Sequence, residues 1–109
     1  MQTTEIIATG NGVTIVTPKA TDTVSLDEVR AIVAYKIDEI TTDLICCDIT
    51  TGPEERPKIL TIHEEIPGFD AVMTLFEALP DFNPQWRNAV LLEPFAENRT
   101  TLYRRHRTV

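Results

Sequence analysis

The sequence predicts an α+β fold, an antiparallel β-meander or partly open barrel that one main amphipathic helix covers. Residues 59–80 give the clearest evidence, because this stretch begins as a strand, breaks at Pro67-Gly68 and continues with helical periodicity. Short β-branched runs separated by turn residues precede it. A chain of 109 residues has room for a single domain with one core.

The N-terminal residues predict a β-hairpin. Two β-branched runs, at residues 5–8 and 13–17, flank Gly10-Asn11-Gly12, and Asn-Gly accepts the positive φ angles of tight hairpin turns. Pro18 ends the second strand, because proline cannot donate to a β-ladder. Residues 18–24 are then expected to form a loop.

Residues 25–37 admit two interpretations. Ser25-Leu26-Asp27-Glu28 matches a capping box, and apolar residues at helical spacing follow it. The same stretch also alternates as a strand does, with one parity formed by Val29, Ala31, Val33, Tyr35 and Ile37. Because the run is rich in β-branched residues, we favour a turn at 25–28 and a strand at 29–37.

Two further strands complete a predicted three-stranded meander. A turn at 38–42 leads to a strand at 43–50, and the turn-rich loop 51–57 leads to a strand at 58–65. In this last strand the more apolar parity is expected to face inward, and its members are Leu60, Ile62, Glu64 and Ile66.

The helix is predicted at residues 69–79. Its apolar stripe repeats at helical spacing and consists of Phe69, Val72, Phe76 and Leu79. Asp70 suits the positive end of the helix dipole, and Pro80 ends the helix. Burying such a stripe contributes about 8–12 kcal/mol before opposing terms, so this helix is the expected lid of the sheets.

The residues after Pro80 predict shorter elements. Asn83-Pro84 is a suitable start for a short helix that continues through Trp86. Residues 89–92 are apolar enough to be buried, and Phe95 is expected to anchor the following loop. The run 100–105 is predicted to be an edge strand.

Composition and charge narrow the classes of partner. The net charge is −7, and all 17 acidic residues precede the last eleven residues, which carry four arginines. An acidic body repels phosphate backbones and anionic lipids, so nucleic acid and membranes are not expected partners, and a basic protein or peptide is favoured. No secretory signal is evident, and the adjacent Cys46 and Cys47 are expected to be reduced thiols of a cytoplasmic protein.

Candidate chemistry centres on His63, Glu64 and two cysteines. Cys46 or Cys47 with His63 as base is the pattern of a small thiol-dependent hydrolase, although free cysteine also behaves as a small core residue. Glu64 is expected to accept hydrogen bonds from the first turn of the helix. The metal-binding pattern HExxH is absent, so we assign no catalytic residue, metal or cofactor.

The C-terminal third carries the candidate interaction surface. It mixes aromatic and cationic residues, the types enriched at interface hot spots, and consists of Trp86, Arg87, Tyr103, Arg104 and Arg105. In the competing interpretation, the tryptophan fills one end of the barrel and the arginines fringe an edge strand. A homodimer through the edge at 100–105 is a further alternative.

Three segments follow one another in the chain and precede Trp86: LDEVRAIVAYKID, TTDLICCDIT and ILTIHEEIPGFDAVMTLFEALP. In this combination they resemble small uncharacterised bacterial proteins with a pleckstrin-homology-like (PH-like) fold. The resemblance covers residues 5–80 and implies two orthogonal antiparallel sheets plugged by a helix, in a non-catalytic domain that binds lipid head groups, peptides or proteins.

The chain departs from the PH-like pattern in two places. The first hairpin has no basic residue until Lys19, which argues against lipid binding, and 29 residues follow Pro80 as a C-terminal extension. The leading hypothesis is therefore a non-catalytic cytoplasmic domain that binds a protein or peptide.

Overall fold

The computed structural model describes residues 4–38, 43–91 and 99–105. Two antiparallel sheets and two short helices make up the described chain, so the predicted α+β class is confirmed, although the sheets do not close into a barrel. The elements in chain order are β1 (Glu5–Ala8), β2 (Gly12–Val16), β3 (Thr21–Ser25), a 3₁₀ turn (Leu26–Glu28), β4 (Val29–Asp38), β5 (Asp43–Thr51), β6 (Lys58–His63), α1 (Phe69–Phe76), α2 (Trp86–Leu91) and β7 (Thr100–Arg104).

The first sheet, sheet A, has the strand order β1-β2-β3. Its β1–β2 hairpin confirms the prediction around Gly10-Asn11-Gly12. The loop predicted at residues 18–24 was wrong, because β3 pairs with β2 from Gly12↔Ser25 to Val16↔Thr21. β3 buries only Val24, so its sequence carries little hydrophobic signal and its pairing depends on the backbone of β2.

The capping box at residues 25–28 and the strand-like alternation that follows it both correspond to structure in the fold. Glu28 accepts a hydrogen bond from the backbone N–H of Ser25 at 3.0 Å, and the Ser25 hydroxyl accepts one from Asp27 at 3.2 Å. This capping box starts only the single 3₁₀ turn Leu26–Glu28, and β4 follows at once. The favoured interpretation, a turn and then a strand, is confirmed.

The second sheet, sheet B, has the order β6-β5-β4-β7. It contains the predicted meander of β4, β5 and β6; residues 39–42 of the connecting turn lie outside the described chain. β7 is the predicted edge strand and pairs with β4 from Ala34↔Thr100 to Ala31↔Arg104. The C-terminal segment is thus an integral part of the fold, because it supplies the fourth strand of sheet B.

α1 packs against β1, and α2 packs against β4 and β7 of sheet B. The buried residues of α1 are Phe69, Val72, Met73 and Phe76, and the sulfur of Met73 lies 3.9 Å from that of Cys47 on β5. The helix ends three residues before the predicted end, and Leu79 is half-buried in the turn that follows. The predicted inner parity of β6 is confirmed for Ile62, which is fully buried.

The segment before α2 follows the predicted Asn-Pro pattern. The side-chain oxygen of Asn83 accepts a hydrogen bond from the backbone N–H of Gln85 at 2.9 Å. Of the residues predicted to be buried at 89–92, Val90 is buried and Leu91 is 44% exposed. Leu92 and Phe95 lie outside the described residues.

The turn before α1 lies directly against β1. The backbone N–H of Ile6 donates to the carbonyl of Pro67 at 3.0 Å, and Gly68 has a φ of 98°. A Cβ atom at Gly68 would overlap the carbonyl oxygen of Ile6. Glycine is therefore required there both by the backbone angle and by the space available.

We predict that Gly68→Ala destabilises the fold by about 3 kcal/mol or more, because the added methyl group must displace β1 from the turn. Chemical denaturation measures the free energy of unfolding. Gly10→Ala is the matched control, since a Cβ at Gly10 meets no atom within 4 Å, and it should change stability by less than about 0.5 kcal/mol. Equal effects of the two variants would contradict the proposed close approach.

Candidate functional site

Cys47 is a core residue on the inner face of β5. Its side chain is fully buried, and burial is the main cause that raises the pKa of the thiol to about 12. The neighbouring Cys46 and Asp48 raise this pKa further, whereas Arg87 lowers it. Only the thiolate form of cysteine is a strong nucleophile, so Cys47 is unreactive near neutral pH.

Cys46 and His63 are partners on neighbouring strands, as the thiol-enzyme hypothesis requires. Cys46 is nevertheless 2% exposed, and its thiol donates a long hydrogen bond of 3.9 Å to the carbonyl of Leu44. Nδ1 of His63 accepts a hydrogen bond from the backbone N–H of Glu65 at 3.2 Å. Neither bond connects the thiol with the imidazole.

A shallow cavity of about 290 Å³ lies beside His63 and Glu65, but Cys46 is not among its lining residues. Within the described chain, no group of three His, Cys, Asp or Glu side chains could hold a metal ion. The cavity beside His63 is therefore lined by no thiol, and the described residues form no metal site there.

Asp48 organises the outer face of sheet B. Its carboxylate accepts hydrogen bonds from the Tyr35 hydroxyl at 3.0 Å, the Thr61 hydroxyl at 2.8 Å and the Arg99 guanidinium at 3.3 Å. The Arg99 guanidinium also lies 4.4 Å from the centre of the Tyr35 ring. These contacts join β4, β5 and β6 to the residue that precedes β7.

The Asp48 cluster also holds Tyr35 in its protonated form. Burial, followed by the hydrogen bond to Asp48 and the charge of its carboxylate, raises the pKa of Tyr35 to about 12. The phenol therefore stays neutral even at pH 10, where an ordinary tyrosine is half ionised, and this suits a structural donor better than a proton-transfer group. Sequence analysis missed this cluster, whose only signal was polar residues at cross-strand positions.

The hydrogen bond of the Glu64 side chain differs from the predicted one. Its carboxylate accepts a hydrogen bond from the backbone N–H of Ile45 at 3.0 Å, not from the first turn of α1. The backbone N–H of Glu64 donates in return to the carbonyl of Ile45 at 3.0 Å. Because β6 has ended, the side chain takes the place of a ladder carbonyl and extends the pairing of β5 by one residue.

The residues of the predicted interaction surface divide into two groups. Trp86 and Tyr103 point inward and are only 2% and 6% exposed, whereas Arg87, Arg104 and Arg105 are exposed. The indole N–H of Trp86 donates to Glu77 at 3.3 Å and thereby connects α2 to the end of α1. This is the placement expected from the competing interpretation, in which the tryptophan fills the interior.

Arg87 stays close to the two helices. Its guanidinium lies 4.8 Å from the centre of the Trp86 ring and 3.8 Å from the carboxylate of Asp70. Both contacts are at the surface, where such interactions contribute little to stability. Arg87 is not among the residues that line the cavities beside Arg104 and Arg105.

Arg104 and Arg105 lie near Arg30, a residue that the sequence analysis did not select as a candidate. The register Ala31↔Arg104 places the end of β7 beside the start of β4. The three arginines line a groove of about 450 Å³ at one end of sheet B, together with Ala31, Thr50, Glu54 and Pro57. We call this cavity the arginine groove.

Two of the three arginines are held in place. Arg30 contacts the carboxylate of Glu54 at 2.9 Å and donates to the carbonyl of Gly52 at 3.3 Å. Arg105 donates to the carbonyl of Leu26 at 3.0 Å and also to that of Asp27. Both guanidinium groups are therefore oriented before any partner arrives.

The arginine groove has an excess of positive charge. Glu54 is the one acidic residue among its lining residues. The two carbonyl oxygens that bind Arg105 carry no formal charge, and Arg104 forms no ion pair within the described residues. The lining of the groove is thus basic on a chain whose net charge is −7, and Asp27 and Glu28 line the adjoining cavity together with Arg30 and Arg105.

Comparison with known proteins gives no relative for this chain. No protein-family model, no curated protein and no solved structure matches it. Within the described residues, no helix is long and apolar enough to cross a membrane.

We predict that Cys47 does not react with iodoacetamide in the native protein at pH 7. Raising the thiol pKa from 9.0 to about 12 lowers the thiolate fraction about a thousandfold. The Cys46→Ala variant isolates Cys47, and mass spectrometry follows its alkylation. Reaction should appear on denaturation; alkylation of the native variant at the rate of a free cysteine would contradict the assignment.

Glu64→Ala is expected to destabilise the fold by about 1–2 kcal/mol, because the N–H of Ile45 loses its acceptor. Glu64→Gln keeps an acceptor oxygen and should cost less than half as much. Glu65→Ala serves as the control, since Glu65 is exposed and adjacent. Of the three variants, only Glu64→Ala should accelerate amide hydrogen exchange at Ile45. Unchanged exchange at Ile45 in that variant would contradict the hydrogen bond assigned to the Glu64 carboxylate.

Proposed function

We propose that this protein is a non-catalytic binding domain for a protein or peptide, with the arginine groove as its contact surface. The observation that carries the proposal is the convergence of Arg30, Arg104 and Arg105 on one groove of an acidic chain. Arginine forms directed pairs with carboxylates and is enriched at protein interfaces. The proposal retains Arg104 and Arg105 from the predicted surface and adds Arg30.

The chemistry of the cysteines supports binding over thiol catalysis. A catalytic thiol needs access to substrate and a pKa near or below neutral, with a base beside it. Cys47 lies in the core with a raised pKa, and Cys46 is buried with its thiol directed to the carbonyl of Leu44. A thiol-dependent hydrolase is therefore the weaker alternative.

The proposal includes a PH-like architecture and a cytoplasmic location. Two antiparallel sheets with a helix packed between β1 and sheet B support the first. Two free, buried cysteines support the second, because reduced thiols are the rule in reducing compartments.

A basic partner is the second candidate, favoured by the charge at the opposite end of β6. This strand begins at Lys58, directly after Pro57 of the arginine groove, and is followed by Glu64 and Glu65, whose side chains are exposed. The two ends of sheet B thus offer surfaces of opposite charge. An immunity-type role, in which the acidic surface masks a basic cleft, is one form of this candidate.

The homodimer through β7 stays a prediction. The carbonyl of Leu102 on this strand accepts a hydrogen bond from the backbone N–H of Asn83 at 2.9 Å. A second copy that pairs along β7 either cannot use the carbonyl of Leu102 as an acceptor or must displace Asn83 from it. This contact favours a partner in the groove over a partner on the strand edge.

Affinity capture with charge-reversal variants tests which end of sheet B binds. We predict that Arg104→Glu abolishes specific capture from a native lysate, whereas Glu65→Lys and Lys19→Glu leave it intact. Arg104, Glu65 and Lys19 are exposed, and Lys19 lies in the β2–β3 turn of sheet A, so folding should be unaffected. Quantitative mass spectrometry compares the captured proteins, and circular dichroism verifies folding.

The same set of variants separates the candidates. Loss of capture in Glu65→Lys with retention in Arg104→Glu would overturn the groove as contact surface and favour the basic partner. Capture that high salt abolishes but neither variant changes would contradict a role for both surfaces. A local ion pair must weaken when one of its own charges is reversed.

A further inference from the structure

We propose that the arginine groove accepts the side-chain carboxylates of an acidic stretch in a partner protein, and that Arg104 makes the primary ion pair. This inference rests on the proposed function and names the chemistry of its partner. It reverses the expectation of a basic partner that the net charge alone suggests.

The distribution of compensating charge identifies Arg104 as the primary contact. Arg30 is paired with Glu54, and Arg105 is held by two backbone carbonyls. Arg104 is exposed at the end of β7 and has no ion pair within the described residues. A carboxylate entering the groove therefore meets a guanidinium that has no ion pair within the described residues, and the positive charge of Arg105 lies close by.

The groove is also organised in advance for binding. The strand register fixes the backbone of Arg104 opposite Ala31, and Arg105 is fixed to the 3₁₀ turn through Leu26 and Asp27. The Arg105 side chain is ordered before binding and therefore loses less entropy when the partner arrives. Guanidinium groups can pair with carboxylates through two parallel hydrogen bonds, which gives direction as well as charge.

Glu54 acts as an internal competitor in this groove. Its carboxylate occupies Arg30 at 2.9 Å, in a pair that is partly exposed to solvent. An incoming carboxylate is repelled by Glu54 and cannot use Arg30 fully while this pair persists. Neutralising Glu54 should therefore strengthen the binding of an acidic ligand, an effect opposite to that of reversing Arg104.

The net charge selects a short acidic stretch over a long polyanion. Nucleic acids carry dense charge along their whole length, and a chain with a net charge of −7 repels such a polymer outside the groove. A few carboxylates on an otherwise neutral or mixed segment meet this repulsion only weakly. The groove and the surrounding charge thus favour an acidic protein segment over nucleic acid.

Fluorescence anisotropy with labelled homopeptides tests the inference on the full chain. Hexaglutamate should bind the wild type and hexaglutamine should not. Arg104→Glu should weaken hexaglutamate binding about tenfold or more, and Glu54→Gln should strengthen it about two- to fivefold. Lys19→Glu is the matched control for a charge reversal outside the groove and should stay within about twofold of the wild type.

A gain of affinity in Glu54→Gln cannot result from a loss of folding, so the two variants together keep the test decisive. Absence of hexaglutamate binding, equal binding by Arg104→Glu, or tighter binding of single-stranded DNA of the same charge would each overturn the inference. If hexaglutamate fails while lysate capture remains dependent on Arg104, the proposed binding function survives and only the acidic ligand is refuted.

Discussion

The backbone contact between β1 and the Pro67-Gly68 turn is the constraint on which the rest of the fold depends. Ile6 belongs to an edge strand of sheet A, and its N–H donates to Pro67 in the segment that leaves sheet B. α1 begins immediately after this contact, with the N–H of Val72 donating to the carbonyl of Gly68. One turn therefore joins the two sheets and sets the position of the helix between them.

This junction also explains why residues 59–80 were the most informative part of the sequence. Alternation in β6 and the helical stripe of α1 each reflect burial on one face, which a sequence records directly. The helix start was predicted correctly at Phe69, because Pro67-Gly68 breaks the strand. The reason for Gly68, its close approach to Ile6, involves the far end of the chain and was not predictable from local pattern.

The features that the sequence did not predict are those stabilised by residues outside their own segment. β3 buries one apolar side chain, so its pairing with β2 leaves almost no periodicity to detect. Glu64 was assigned to the helix because it is near in sequence, but its carboxylate binds Ile45 across the sheet. The burial of two members of the predicted interaction surface was hidden for the same reason, since residue type alone does not show that Trp86 and Tyr103 face inward.

Antiparallel pairing explains how an acidic chain acquires a basic site. The start of β4 and the end of β7 meet at one end of sheet B, which brings Arg30 beside Arg104 although the sequence separates them widely. Charges at the surface act over roughly 8 Å at physiological ionic strength, so a groove of this kind can attract while the whole molecule repels. In the proposed complex, the ligand is therefore acidic where it enters the groove and carries little charge further along. The net charge first suggested a basic partner. With the proposed groove, the same charge repels long acidic ligands and so favours short ones.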